Sequence, residues 1–271
     1  MKINYALAHY LISIIIFVVL LSGCKPPEEV KNPEKVEPPP AKEPTPAIIF
    51  NVATLNLSKS GTKYEKQSIS KLSEIIKQED IQIISLQGVT RYPEISTRID
   101  FIDELRLQTD MYQKFGETQN ISGRQIGNAV LSAYPIKSSE NFECKKSKTL
   151  ATALATSVDA GVGNVLFVST LLPESTSSAE KLDCISVLEE IKKMYESAFF
   201  IVSGNISLLG KNNFNELNLE YGNIKNQNIS PQILYLANDV MKLLDAKKEE
   251  TRYGVLLIFK FGLFNQPVNK R

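Results

Sequence analysis

From Lys25 to Ala47 the chain reads KPPEEVKNPEKVEPPPAKEPTPA, a stretch that holds eight of its thirteen prolines and almost no apolar side chains. Such a stretch cannot bury a core: proline removes backbone donors, and the alternating Lys and Glu stay hydrated. It favours an extended, solvated tether reaching on the order of 70 Å at about 3.1 Å per residue. Whatever folds must therefore begin near Ile48, and the roughly 220 residues that follow suffice for one domain.

The residues before the tether read as a targeting segment. Lys2 is followed by the apolar run Leu11 to Leu21, shorter than the ~20 residues of a membrane span, which leads directly into Leu21-Ser22-Gly23-Cys24. Those four residues resemble a bacterial lipobox, which implies cleavage before Cys24 and a diacylglycerol on its thiol. Lys25 at the next position, rather than aspartate, resembles lipoproteins that move on to an outer membrane. The expected organisation is a signal peptide over 1–23, the lipidated cysteine and tether over 24–47, a folded domain over 48–264 and a short tail over 265–271. The expected location is the bacterial cell envelope, held by lipid at the outer membrane and facing the periplasm.

Cleavage would remove Lys2 and leave 30 basic and 30 acidic side chains. A formally neutral chain argues against strong nucleic-acid binding. Cleavage would also remove His9, the one histidine. Without imidazole, Ser-His-Asp, Cys-His and His-zinc chemistries are excluded.

From Ile48 onward, strand and helix patterns alternate. Ile48 to Leu57 and Ile81 to Gln87 are rich in β-formers, and Ile69, Leu72 and Ile76 between them repeat at helical spacing. Further strands are expected over 128–134, 151–158, 164–171, 198–203, 233–236 and 252–261, with helices over 100–107 and 178–195. The last helix should bury Cys184, Leu188, Ile191 and Tyr195 on one face. Gly127-Asn128 reads as a turn before a strand, and Gly161 to Gly163 as a hairpin loop.

Several short motifs follow one another in an order that resembles the endonuclease/exonuclease/phosphatase superfamily. They are ATLNL with Asn56, DIQIISLQGV with Gln87, GNAVLSAYPI from Gly127, LFVSTLLP, FFIVSGNIS ending at Ser207, ILYLAND, and the strand after Thr251-Arg252. The resemblance implies an α/β fold, a four-layer αββα sandwich. It also implies metal-assisted phosphoester hydrolysis, in which carboxylates hold magnesium, a histidine with its aspartate activates water, and asparagines bind phosphate.

Position by position, this chain departs from that chemistry. The family's metal-binding glutamate falls on Gly88, its histidine on Leu171, and its glycine-aspartate-x-asparagine motif on Gly204-Asn205-Ile206-Ser207. Its late aspartate falls on Leu234, and its closing serine-aspartate-histidine on Glu250-Thr251-Arg252; only Asn56 keeps the family's residue. The expected reading is a catalytically inactive member, an envelope binding or structural component with no cofactor, whose partner would be an envelope protein or an anionic ligand. The alternative is an active phosphodiesterase using magnesium, a nuclease or phospholipid hydrolase with rearranged residues.

The cleft ringed by Asn56, Gly88, Leu171, Asn205, Ser207 and Arg252 is expected to hold no divalent metal, whereas Asn56, Asn205 and Arg252 could grip an anion. Glu94, Asp100 and Asp103 could supply substitute carboxylates, but read more simply as a solvated loop and helix start. Cys144 and Cys184 could pair in an oxidising envelope, although Cys184 on an apolar stripe reads more simply as a buried small hydrophobe. Lys145, Lys146, Lys148, Lys247 and Lys248 could touch anionic lipid or phosphate, but short lysine runs read more simply as solvated surface.

Overall fold

In the computed structural model the chain divides into two units, Met1–Glu43 and Pro44–Arg271, and every described residue belongs to the second. The described residues are 45–58, 64–92, 99–144, 151–172, 177–195, 199–206, 219–222, 232–236 and 238–264. Cys24, nearly all of the tether and the tail over 265–271 lie outside them.

The first unit of the pattern forms as its periodicity requires. Strand β1 (Ile48–Asn56), helix α1 (Lys66–Gln78) and strand β2 (Ile81–Arg91) follow in order, with β1 and β2 parallel. Ile69, Leu72 and Ile76 are all buried on α1. Helix α2 (Phe101–Thr109) begins where the Asp100 carboxylate accepts the N–H groups of Ile102 and Asp103, and it ends at Asp110 in the left-handed region (φ 58°). Strands β3 (Tyr112–Ile121) and β4 (Arg124–Ser132) turn through Ser122 and Gly123, both at positive φ, as a tight hairpin demands. Then come β5 (Ile136–Glu143), β6 (Thr152–Asp159), β7 (Asn164–Leu171), helix α3 (Ser178–Tyr195), β8 (Phe199–Gly204), β9 (Glu220–Gly222), β10 (Gln232–Tyr235), β11 (Met241–Thr251) and β12 (Gly254–Leu263). A capping box opens α3: the Ser177 N–H donates to Glu180 Oε2 at 2.6 Å, and the Glu180 N–H to Ser177 Oγ at 3.4 Å.

Among the described residues two six-stranded mixed sheets result, in the orders β11-β12-β1-β2-β4-β3 and β5-β6-β7-β8-β10-β9. Three buried clusters show how they stack. Ala53, Leu55, Ile84, Leu86 and Leu256 meet α1 and α2 on one outer side, and Phe101 lies among them. Phe50, Phe167, Phe259 and Phe261 fill the space between the sheets. Leu166, Phe200, Val202 and Leu234 meet Cys184, Leu188 and Ile191 of α3 on the other outer side. The order of layers is helix, sheet, sheet, helix, the αββα sandwich expected. Central strands are covered on both faces, which is why they read as continuous apolar runs rather than alternating ones.

Three readings need correction. Gly127 and Asn128 are not a turn but lie inside β4, opposite Glu117 and Gly116 of β3. Glycine is needed at 127 because a Cβ there would strike the Gly116 carbonyl. Cys184 is on the buried stripe of α3, but as half of a disulfide with Cys144 (Cα–Cα 5.0 Å), not as a free thiol. Four strands also escaped the pattern, namely β3, β5, β9 and β11, and each lies at the edge of its sheet.

Candidate functional site

The strand pairs β1/β2 and β7/β8 are each parallel and joined through a helix, so their carboxyl ends emerge together. The Ser85 hydroxyl of β2 meets that of Ser169 on β7 at 2.7 Å, and further along both strands Asn128, opposite the β2 bulge, reaches Thr152, which faces Leu171 at the end of β7, so the two pairs run in the same sense. β12 pairs antiparallel with β1, so its start at Gly254 meets the carboxyl end of β1 and places the β11–β12 hairpin at the same pole. Chain entry lies at the other pole, where the Ala47 N–H donates to the Leu263 carbonyl and a Cβ on Gly161 would stand 3.7 Å from Ile48 Cδ1. Asn56, Gly88, Leu171, Asn205, Thr251 and Arg252 thus share the pole at which open α/β sheets present their ligand sites.

Each of them has a local task there. Asn56 closes an Asx turn: its Oδ1 accepts the Ser58 N–H at 2.9 Å and the Ser58 hydroxyl at 2.6 Å. Gly88 sits at φ +64° in a bulge of β2, since Leu86 faces Ala129 and Val89 faces Gly127. A Cβ on Gly88 would stand 2.8 Å from Ser58 Cβ and 2.9 Å from Ser58 Cα and N. Leu171 ends β7, half-buried, opposite Thr152. Asn205 accepts the Leu172 N–H at 2.6 Å and donates through Nδ2 to the Leu172 carbonyl. Thr251 Oγ1 donates to the Gly254 carbonyl at 2.7 Å and accepts the Tyr253 N–H at 3.1 Å, which fixes the hairpin. Arg252 forks onto Glu65, with Nη2 to Oε1 at 2.8 Å and Nη1 to Oε2, and also reaches Ser68 Oγ at 3.3 Å. The hydrogen bonds and charge of Glu65 hold that guanidinium above its ordinary pKa.

The groups expected to grip an anion are not all free: Asn205 Nδ2 bonds the Leu172 carbonyl and the Arg252 guanidinium is paired with Glu65, whereas Ser58 occupies only the carbonyl oxygen of Asn56. Leu234 is not at this pole either: it pairs with Val202 and is buried beneath α3. Ser207, Glu94, Lys145, Lys146 and Lys148 lie outside the described residues. Asp100 and Asp103 face Arg91 at 2.6 and 3.2 Å, and that guanidinium stands 5.2 Å from the Phe115 ring centroid, so both acids tie α2 to the sheet. Lys247 pairs with Glu79, beside a surface groove lined by Asn51, Asp245 and Lys260 at the carboxyl end of α1.

Beneath the pole runs a buried polar seam that the motif reading missed. Gln87 Nε2 donates to Ser85 Oγ and to Thr54 Oγ1 (3.1 Å), and lies 3.4 Å from Ser169 Oγ. The seam continues through Thr170, whose hydroxyl donates to the Thr152 carbonyl at 2.9 Å. Asn128 Nδ2 donates to that same carbonyl at 3.2 Å. Thr54, Ser85, Gln87, Asn128 and Ser169 are essentially inaccessible, and the signal that could have revealed them is a row of polar residues within otherwise apolar strands.

Magnesium would need hard anionic oxygens facing open space. Here Gly88 offers no side chain, Asn56 and Asn205 offer amides already hydrogen-bonded, and Glu65 is held by Arg252. Among the described residues no three His, Cys, Asp or Glu side chains come together as ligands. The donor set of the described pole does not fit the metal.

No protein-family profile matches the chain, and no curated protein matches it in sequence. Solved structures do match. An endonuclease/exonuclease/phosphatase from Beutenbergia cavernae superposes with a TM-score of 0.62 at 15% identity, covering 81% of this chain and 73% of its own. An endonuclease/exonuclease/phosphatase family protein from Leptotrichia buccalis gives 0.59 at 12% identity, covering 78% of this chain and 98% of its own. The human nocturnin catalytic domain with bound sulfate gives 0.59 at 17% identity, covering 79% and 94%. At such identities the likeness establishes the fold.

Proposed function

We propose that this chain, which has the fold of the endonuclease/exonuclease/phosphatase proteins, is a catalytically inactive member of that superfamily serving as a binding or structural component of the bacterial envelope. One observation carries the reading. The pole where this fold gathers its strand ends presents Asn56, Gly88, Leu171 and Asn205, which are two engaged amides, a glycine and an aliphatic side chain. None of these can abstract a proton near neutral pH, and loss of a general base alone costs about 10²- to 10⁴-fold in rate. The Cys144–Cys184 disulfide supports an oxidising compartment such as the periplasm, in keeping with a lipid anchor at Cys24.

The experiment is a hydrolysis assay of the chain from Cys24 onward on bis-p-nitrophenyl phosphate and on DNA with millimolar Mg²⁺ or Mn²⁺. Rates at the buffer background are expected. Turnover that EDTA abolishes would replace this reading with the metal-dependent phosphodiesterase. The anchor is tested separately: Cys24→Ala should leave the envelope membrane fraction and accumulate uncut or soluble, and its continued processing and membrane retention would refute the lipid attachment.

A further inference from the structure

We infer that the position where this fold would carry a metal-binding carboxylate is built over rather than merely stripped: the backbone of Ser58 occupies the space in front of Gly88, and Asn56 holds it there. Three independent features of the chain converge on this.

The first is conformational. Gly88 has φ +64°, a region open to glycine and costly for other residues. Any side chain there meets strain before it meets a neighbour. The second is steric. The direction in which a Cβ would leave Gly88 is filled by Ser58 Cβ, Cα and N at 2.8 to 2.9 Å, closer than real Cβ contacts come. Two of those atoms are backbone, so rotating a side chain cannot clear the space. The third is the restraint on Ser58. Its N–H and its hydroxyl both bond Asn56 Oδ1, and the preceding Leu57 N–H donates to the Gln87 carbonyl at 2.8 Å, which extends the β1–β2 pairing one residue past the end of β1. Asn56, the one position that keeps the superfamily's residue, is thus a positioning residue, and its carbonyl oxygen faces Ser58 instead of a ligand.

Putting the acid back should therefore fail to recover a metal site. A glutamate at 88 would have to displace the Asn56–Ser58 turn and adopt a left-handed backbone before its carboxylate could face the cleft. This inference concerns packing and stands apart from the activity reading: hydrolysis by the unmodified chain would sink that reading, while the geometry at Gly88 is judged by melting and by Mg²⁺ titration.

The experiment uses the chain from Cys24 onward with four variants: Gly88→Ala, Gly88→Glu, Asn56→Ala and Asn56→Ala/Gly88→Ala. Gly88→Ala should lower Tm by roughly 5 °C or more, from the backbone conformation and the clash with Ser58 together. Gly88→Glu should fall at least as far and show no Mg²⁺-dependent rise in Tm. Because Asn56→Ala frees Ser58 to move aside, the double variant should lose less than the sum of the two single losses, which is the signature of coupled neighbours. The coupling is readable even if Gly88→Glu fails to fold. A Gly88→Ala protein melting within a degree of the parent, strictly additive losses in the double variant, or a Gly88→Glu protein stabilised by millimolar Mg²⁺ would each overturn the inference.

Discussion

Gly116 of β3 is glycine because the amide of Asn141, reaching across from the other sheet, lies where its Cβ would be. Asn141 belongs to β5, and its Nδ2 donates to the Glu117 carbonyl at 2.7 Å, so a single side chain straps the edge of one sheet to the edge of the other. Beside it the hydroxyls of Thr118 and Thr152 meet at 2.6 Å across the same gap. At these edges direct polar contacts join Leu154 in closing the gap between the sheets. Gly116→Ala should therefore cost about 1–3 kcal/mol by overpacking, although the position tolerates alanine in its backbone angles. In a chemical-denaturation series, Asn141→Ala should remove part of that cost when combined with it. Equal stability of Gly116→Ala and the parent would show that the strap has room to move.

The Cys144–Cys184 disulfide joins the end of β5 to α3 across a sequence separation of 40 residues, and so pins the outer helix to the sheet it covers. A loop of that length points to about 2–4 kcal/mol of stabilisation, from restriction of the unfolded chain. Replacing both cysteines by serine, or adding reductant, should lower the urea midpoint to match. If thiol titration of the protein from its native envelope finds both cysteines reduced, the compartment argument built on them falls.

Tyr235 offers a pH-dependent readout. Burial and, after it, the Glu220 carboxylate push its phenol up to about 12, and its hydroxyl donates to Glu220 Oε2 at 3.2 Å. An unfolded tyrosine ionises near ~10. Because the folded value is the higher one, the stabilising contribution is intact below about 10 and is lost as pH rises toward about 12. Ultraviolet titration should show a late-ionising phenol that Tyr235→Phe removes and Glu220→Gln brings to lower pH. Tyr64 and Tyr253 are also raised by burial, so the difference between parent and Tyr235→Phe is the informative trace. A trace unchanged by that substitution would remove Tyr235 from the account.

What was legible in the sequence follows burial. β1, β2, β7, β8 and helices α1, α2 and α3 could be read because each must present an apolar face or two, and Ile69, Leu72 and Ile76 or the run from Val165 to Val168 leave little choice. β11 could not, since most of MKLLDAKKEET faces solvent at an edge and its pairing depends on β12 arriving later in the chain. The identities at the pole could be read; their engagements could not. Arg252 looks like an unclaimed cation until the fold brings it to Glu65, 187 positions earlier. Asn205 likewise looks like a neutralised acid until its two amide ends are seen to match the two backbone groups of Leu172.

That match predicts what happens when an acid replaces the amide at the position. Asn205 is 6% exposed, and it serves Leu172 both as acceptor, to the N–H, and as donor, to the carbonyl. Asn205→Asp keeps the shape and the acceptor but replaces the donor with a second carboxylate oxygen facing the Leu172 carbonyl. A buried charge that has lost a hydrogen bond and gained a repulsive neighbour should cost about 2–4 kcal/mol at neutral pH. The same environment raises the pKa of the introduced carboxyl in the folded state. Below the unfolded carboxyl pKa of about 4 both states are protonated, the acid O–H can donate to Leu172, and the deficit should nearly vanish. As pH climbs from there toward the folded pKa the deficit should grow, then level off. Urea unfolding of parent and variant across that range measures it directly. A deficit independent of pH would mean that shape, not the donor, is what Asn205 contributes, and an absent deficit would mean that Leu172 can turn away and that the pole is more adaptable than its hydrogen bonds imply.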